Sequence, residues 1–333
     1  MRPDFLGIGA QKAGTTWLYR TFGHHPGIWM PPEKELHAFD EKLVQPHSLR
    51  EKVFGDGPRD ERWRRQVRRH LKRYAKEKSL AGAGWDLRYF LGRPSDRWYA
   101  GLFAAGGDRI TGEITPDYSV LDRARVENVR RINPDVRVVF IVRNPIERAW
   151  SHAAMELGRM KGHDLATVPK RLIRHFEAPR SRRFGDYLQT IDTWSDVFAP
   201  EQIFLAFLED VSRHPAALLD RICDHIGAPR LGRYPGSRQK VHSGSLDSMR
   251  LDSAQHLAGL YLDLVSEMDE RYGGYAQWWA YCLRKLLDDP PDTDTVDYPF
   301  FEGPIWDEWL KSAGEPAWVD EPQSNALPQV RLP

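Results

Sequence analysis

Two short stretches of the chain concentrate groups that can hold phosphate-type anions. The first is Gly9-Ala10-Gln11-Lys12-Ala13-Gly14-Thr15-Thr16, placed directly after the apolar run FLGIG. Backbone N–H groups of such a turn, with a helix N-terminus behind them, form an anion cradle. Lys12 adds a mobile charge, and the Thr15 and Thr16 hydroxyls add donors. The second is Arg143-Asn144-Pro145-Ile146-Glu147-Arg148-Ala149-Trp150-Ser151. Arg143 leaves the C-terminal end of the run RVVFIV, the edge at which α/β sheets bind ligands. Ser151 follows two helical turns later. One guanidinium fork plus one hydroxyl suits a second, separate phosphate. Each stretch also has a plainer reading: an ordinary strand–helix turn for the first, an arginine paired with a nearby carboxylate for the second.

The first loop is not a Walker A loop. That loop places Lys directly after its second glycine and Ser or Thr after the Lys. Here Lys12 precedes Gly14, and Thr15 stands where the Walker lysine would be. The RVVFIV strand ends in Arg143, not in the Mg²⁺-binding aspartate of phosphoryl-transfer enzymes. A small-molecule kinase is therefore the weaker of two enzyme readings.

These groups need a scaffold, and the hydrophobic pattern supplies one. Residues 5–9, 137–142 and 202–207 read as buried strands, the second being β-branched and apolar on both faces. Residues 15–22, 145–160, 216–226 and 253–272 read as helices. Asn144 caps the second of these, Pro145 takes its first position, and Glu147 completes an N-x-x-E box. Strand–helix alternation predicts an α/β fold: a central parallel sheet with helices on both faces, a three-layer sandwich. Residues 59–78 carry ten Lys or Arg against Asp60, Glu61 and Glu77, with Trp63, Val67, Leu71 and Tyr74 at helical spacing. This basic amphipathic helix either attracts an anionic acceptor or is a solvated face paired with acidic residues elsewhere; the second reading is preferred. Residues 286–325 hold eleven Asp or Glu against Lys311 and are broken by six prolines. With Phe300, Phe301, Trp306, Trp309 and Trp318 they are expected to form an extended arm packed on the body. The expected division is an α/β domain over 1–285 and this Pro-rich acidic arm over 286–333.

Composition excludes several classes. Over 333 residues the net charge is +1, so the basic excess of a nucleic-acid coat is missing. Mean hydropathy is −0.59. No apolar run approaches the roughly 18 residues of a transmembrane helix, and MRPDFLGIGAQ is too short in apolar residues for a signal segment. Two cysteines, Cys223 and Cys282, make neither a disulfide framework nor a zinc site alone, so a cytoplasmic location is expected.

Together the two anion motifs resemble those of the sulfotransferases that use 3′-phosphoadenosine 5′-phosphosulfate (PAPS). Lys-x-Gly-Thr-Thr-Trp looks like that family's 5′-phosphosulfate loop, and Arg-Asn-Pro-x-x-Arg-Ala-x-Ser like its 3′-phosphate element. Their order and their separation of about 130 residues fit as well. The likeness runs from about residue 5 to about residue 274. It implies that Lys12 meets the phosphosulfate and assists departure of the product 3′-phosphoadenosine 5′-phosphate (PAP). It places Ala13, Gly14, Thr15 and Thr16 at the 5′-phosphate, and Arg143 and Ser151 at the 3′-phosphate. Trp17 is placed either on the adenine or in the helix core. A late basic loop of the family is matched loosely by Arg238, Lys240, Ser243 and Gly244, with serines where basic residues are usual. Pro31–Asp40 resembles the Lys-Glu-x-His-x-Phe segment of the heparan-sulfate-type and bacterial members, which makes Glu35, then His37, the candidate base. Glu113, Asp117 and Tyr118, in Gly112-Glu113-Ile114-Thr115-Pro116-Asp117-Tyr118, resemble the acceptor-side element of glycan-modifying members. Ile114 stands where some members have Lys, which removes a charge that could meet an acidic sugar. The resemblance implies sulfuryl transfer to a hydroxyl of a carbohydrate or small natural product, without a metal. A catalytically silent PAP- or glycan-binding module is the reading from another class; Lys12 with Glu35 and His37 argues against it, since a binder needs no base.

Overall fold

The computed structural model describes residues 2–40, 49–77, 82–158, 169–238, 248–301, 303–313 and 317–327. Its centre is a six-stranded sheet. β1 (Phe5–Gly9), β2 (Ile28–Trp29), β3 (Ile110–Ile114), β4 (Arg137–Val142) and β5 (Ile203–Phe207) are parallel, in the order β2-β3-β1-β4-β5. Every residue of β1 and β5 is buried, and all but the first of β4. Alternate side chains point to opposite faces, so a strand buried throughout is a strand covered on both sides. Gly112 of β3 is one of the residues that permits this packing. A Cβ there would stand 2.3 Å from the Phe5 ring.

β6 (Ser248–Arg250) and β7 (Thr295–Asp297) form a separate antiparallel pair. β8 (Asn325–Ala326) joins the main sheet antiparallel to β5, which makes the sheet mixed. The helix expected over 15–22 spans Thr15–Gly23. The one expected over 145–160 spans Pro145–Gly158, the residues after it lying outside the described ones. The last two expected helices span Pro215–Ile226 and Leu251–Tyr272.

The C-terminal region differs from an extended arm. The helix Tyr275–Asp288 runs across residue 285, and a ten-residue helix, Pro304–Ala313, follows. Proline blocks a helix interior but suits its first position, where the missing N–H has no partner to lose. Phe300, Phe301, Trp306 and Trp309 are buried.

The basic helix spans Pro58–Glu77. Its ion pairs run to Glu33 and Asp86, and among the described residues none is seen to the acidic C-terminal region. Its inward stripe passes through His70, 4% exposed, whereas Leu71 is 59% exposed. His70 is drawn in because a carboxylate faces each of its ring nitrogens, Asp86 at 2.8 Å and Glu33 at 3.1 Å. No helix of the described residues is long and apolar enough to cross a membrane. Cys223 and Cys282 are buried and free.

Candidate active site

The loop after β1 turns through Gly14, whose φ of 83° lies in the left-handed region that glycine enters without strain. A Cβ at Gly14 would also stand 2.9 Å from Leu208 Cδ1. Ala13 and Thr15 are buried, and Thr16 is half-buried at the start of helix Thr15–Gly23. Lys12 itself has φ 72°. Its Nζ lies 3.8 Å from Met155 Sδ, on the helix that begins after Arg143.

Arg143 closes the gap between the two motifs. Its Nη1 donates to the Lys12 carbonyl at 3.4 Å, and its Nε to Glu147 Oε2 at 3.0 Å. Glu147 therefore does not complete the expected capping box. Its carboxylate is drawn to the arginine, while the Asn144 side chain accepts from the Ile146 N–H at 3.1 Å. Burial lowers the Arg143 pKa, but the fields of Glu147 and Tyr298 outweigh it, and the group is held charged above its ordinary value. Ser151 is half-buried on the same helix. Arg148, on that helix and fully buried, donates through Nη2 to the Ser181 carbonyl at 3.0 Å. His152 meets His175 at 3.1 Å between ring nitrogens. Burial, then the charges of Arg148, His175, Arg180 and Lys12, push the His152 pKa down to about 3, so the ring stays neutral at ordinary pH in a positive field.

The second wall is the segment Pro31–Asp40. Among the described residues, the non-glycines with positive φ are Lys12, Glu35 (66°) and His37 (56°). These are the three residues the sequence nominated for chemistry. Such backbone persists only where the surroundings impose it, and here the impositions are visible. Tyr19 Oη donates to the Pro31 carbonyl at 2.6 Å. Glu33 is gripped by Arg69, by Gln66 at 3.0 Å and by His70 at 3.1 Å, all on the basic helix. Burial raises the Glu33 pKa, but the bonds from His70 and Arg69 bring it below its ordinary value. Phe39 packs edge-on against Tyr99 and Tyr118, and the Ala38 N–H donates to Tyr118 Oη at 2.8 Å.

Held this way, Glu35 keeps its side chain 38% exposed, with Lys34 Nζ at 2.6 Å from Oε1. His37 Nδ1 meets Asp40 Oδ2 at 2.5 Å, and its Nε2 lies 3.8 Å from Glu35 Oε2. Asp117 joins them: one polar atom each of Glu35, His37 and Asp117 lies within 4.8 Å of the others. Arg180 Nη2 approaches Asp117 at 3.5 Å.

Glu113 and Tyr118 sit elsewhere than an acceptor contact requires. Glu113 is 1% exposed and accepts from three hydroxyls, Tyr99 at 2.7 Å, Thr115 at 2.8 Å and Tyr118 at 3.0 Å. Burial raises its pKa, and the three bonds offset only part of that. Tyr118 is fully buried and ties this cluster to Ala38. Both lie buried beneath the loop, whereas Asp117, the third residue expected in this motif, lies beside Glu35 and His37. Ile114 is buried against Gly7, so the position that is Lys in some relatives faces the core here. Trp17 is 4% exposed and donates its indole N–H to the Ser237 carbonyl at 2.7 Å, the helix-core reading. That bond brings the late loop to the first helix. Arg238 is exposed at the next position, and Lys240, Ser243 and Gly244 lie outside the described residues. Sequence reasoning assigned no role to Glu33 or Asp40 and gave Glu147 a capping one. Asp40 carried a weak signal, a carboxylate three residues after the histidine.

The sulfotransferase family model matches residues 3–231 of this chain. The chain belongs to the sulfotransferase family. The match takes in both anion loops and the Pro31–Asp40 segment. Among curated relatives, the mouse heparan sulfate glucosamine 3-O-sulfotransferase 6 is 31% identical over 152 residues, covering 43% of this chain and 44% of the relative. The human protein of that name is 30% identical over 140 residues, 40% of each. The matched part is thus less than half the length of those relatives. Among solved structures, a sulfotransferase from Alicyclobacillus acidocaldarius superposes with a TM-score of 0.54 at 22% identity, over 81% of this chain and 95% of that one. That likeness establishes the shared fold. Family membership also removes the kinase reading. The candidate site residues follow the C-terminal ends of β1, β2, β3 and β4, where a parallel sheet presents its loops.

Proposed function

We propose that this sulfotransferase moves the sulfuryl group of PAPS to a hydroxyl of a sugar or other alcohol. The observation that carries the reading is the bond from Arg143 Nη1 to the Lys12 carbonyl. It sets the two anion motifs side by side on one sheet edge, as a donor with a 5′-phosphosulfate and a 3′-phosphate requires. The chemistry of the residues fits such a donor: a cationic loop at a helix N-terminus, a guanidinium held charged, and hydroxyls on Thr15, Thr16 and Ser151.

In the reaction the bond from sulfur to the 5′-phosphate oxygen breaks, and a bond from the acceptor oxygen to sulfur forms. Lys12 Nζ stabilises negative charge as it grows on the departing phosphate oxygen. The Glu35 carboxylate takes the acceptor's hydroxyl proton. Asp40 holds His37 through Nδ1, which fixes the ring with Nε2 3.8 Å from Glu35 Oε2 at the same cleft. Arg143 binds a phosphate whose charge does not change, which gives uniform binding. The names of the curated relatives support a glycan acceptor, and the exposed guanidinium of Arg180 beside Asp117 is placed to meet it.

The test is purified protein with PAPS, EDTA and a panel of neutral and acidic sugars and simple alcohols, read by mass spectrometry for PAP and sulfated product. Sulfated product formed together with PAP is expected, as is a rise in thermal midpoint with PAP, worth about 2.7 kcal/mol at 100 times its Kd. A midpoint shift with no product from any acceptor leaves the silent-binder reading standing instead. Absence of both the shift and any sulfated product overturns the proposal.

A further inference from the structure

The C-terminal region lies beyond the residues that the family model matches, yet it reaches Arg143. The guanidinium carbon lies 5.2 Å from the centroid of the Tyr298 ring. Two residues on, the Phe300 N–H donates to Glu147 Oε1 at 2.6 Å. Glu147 thus spends one oxygen on this segment and the other on Arg143. With Nε on Glu147, Nη1 on the Lys12 carbonyl and one face over a tyrosine ring, the plane of the fork is set before any ligand arrives.

The segment that does this is anchored as core. Phe300 is 2% exposed, Trp306 4% and Trp309 3%. Trp306 packs on Phe301 at 4.5 Å and edge-on to Trp278 at 4.9 Å between ring centroids. Downstream, Ser324 Oγ accepts from the Phe207 N–H at 2.9 Å, and β8 pairs with β5. Burial of these large aromatic rings holds the segment on the body, so it does not lift away as a lid would. Tyr298 itself is only half-buried, with its ring turned to the arginine.

We propose that Tyr298 is a positioning residue of the nucleotide site: a fixed wall, outside the shared sulfotransferase core, that presents Arg143 to the 3′-phosphate of the donor. This rests on the reading that Arg143 takes that phosphate. The Phe300 N–H acts with it by fixing Glu147.

Calorimetry on the full chain tests it, with PAP and with 5′-AMP, which lacks the 3′-phosphate. Wild type is expected to bind PAP more tightly than 5′-AMP. Tyr298→Ala should weaken PAP about tenfold, the scale of a partly desolvated cation–π contact, with 5′-AMP affinity and the ligand-free thermal midpoint unchanged. Tyr298→Phe keeps the ring but loses the hydroxyl that also bonds Arg143, and should give a PAP affinity between those of Tyr298→Ala and wild type. PAP affinity in Tyr298→Ala equal to or tighter than wild type overturns the inference, the tighter case marking the segment as an obstacle. Equal affinity of wild type for the two nucleotides overturns the underlying reading of Arg143, and the inference falls with it.

Discussion

Glu35 and Glu113 come from two neighbouring segments, and their surroundings are opposite. Glu35 lies in a loop with left-handed backbone, more than a third of its side chain exposed, beside a lysine and a histidine. Glu113 lies on β3 with no exposure to speak of, and three hydroxyls use its oxygens. Both belong to motifs that resemble the same family's acceptor machinery. Their chemistry differs because one carboxylate can reach a ligand and the other cannot. A proton acceptor must approach the hydroxyl it serves, whereas a buried carboxylate with three donors is a structural tie. The two are also mechanically linked: Tyr118 accepts from the loop's Ala38 N–H and donates to Glu113. The buried glutamate holds up the strained loop that carries the exposed one.

The contrast can be broken most forcefully at Glu113. Glu113→Ala leaves three buried hydroxyls facing a void and should cost about 2–4 kcal/mol of stability. In urea titration the midpoint should fall, and turnover should fall with it as the loop that carries Glu35 loosens. A Glu113→Ala protein with the stability and turnover of wild type would show that the buried glutamate does not support that loop.

A third carboxylate sharpens the comparison. Glu209, just after β5, is buried, and its Oε1 accepts from the Trp279 indole N–H at 2.6 Å. Burial, with Glu147 adding, pushes its pKa up to about 8 in spite of that bond. The folded state then holds a proton that the unfolded state, near 4.5, releases. Stability is therefore highest below about pH 4.5 on this group's account and is lost as pH rises towards about 8, by at most about 1.4 kcal/mol per pH unit. Glu209→Gln should flatten that slope, measured by denaturant titration between pH 5 and 9. An unchanged slope would mean that Glu209 ionises freely in the folded chain.

On the loop itself the expected effect is smaller. Asp40→Asn keeps the hydrogen-bonding shape beside His37 but removes the charge, and should lower turnover about tenfold with PAP affinity intact. Full turnover would detach the Asp40–His37 pair from the reaction.

What the sequence made legible follows from range. β1 and β4 read out to the residue because each is a continuous apolar run bounded by glycine or charge. The turn at Gly14 and the helix after it are local features. β3 was missed: ITGEI carries a glycine and a glutamate in place of an apolar run, and its burial comes from Phe5 lying over Gly112. The Glu33–His70–Asp86 chain spans distances of 37 and 16 residues, which no spacing rule reports. Glu147 was read as a local cap because its partners, Arg143 and the Phe300 N–H, are set by tertiary packing. Glu35 and Glu113 looked alike because a motif records residue type and order, while exposure is fixed only when the loop and β3 are brought together.

Glu35→Gln tests the central claim most directly. Glutamine keeps the size and hydrogen-bonding reach of the side chain but cannot take a proton. With saturating PAPS and the acceptor found by the panel, turnover should fall by about 10²-fold or more, while PAP affinity and the thermal midpoint stay at wild-type values. Wild-type turnover in Glu35→Gln would contradict the account and leave the exposed glutamate with no more chemistry than the buried one.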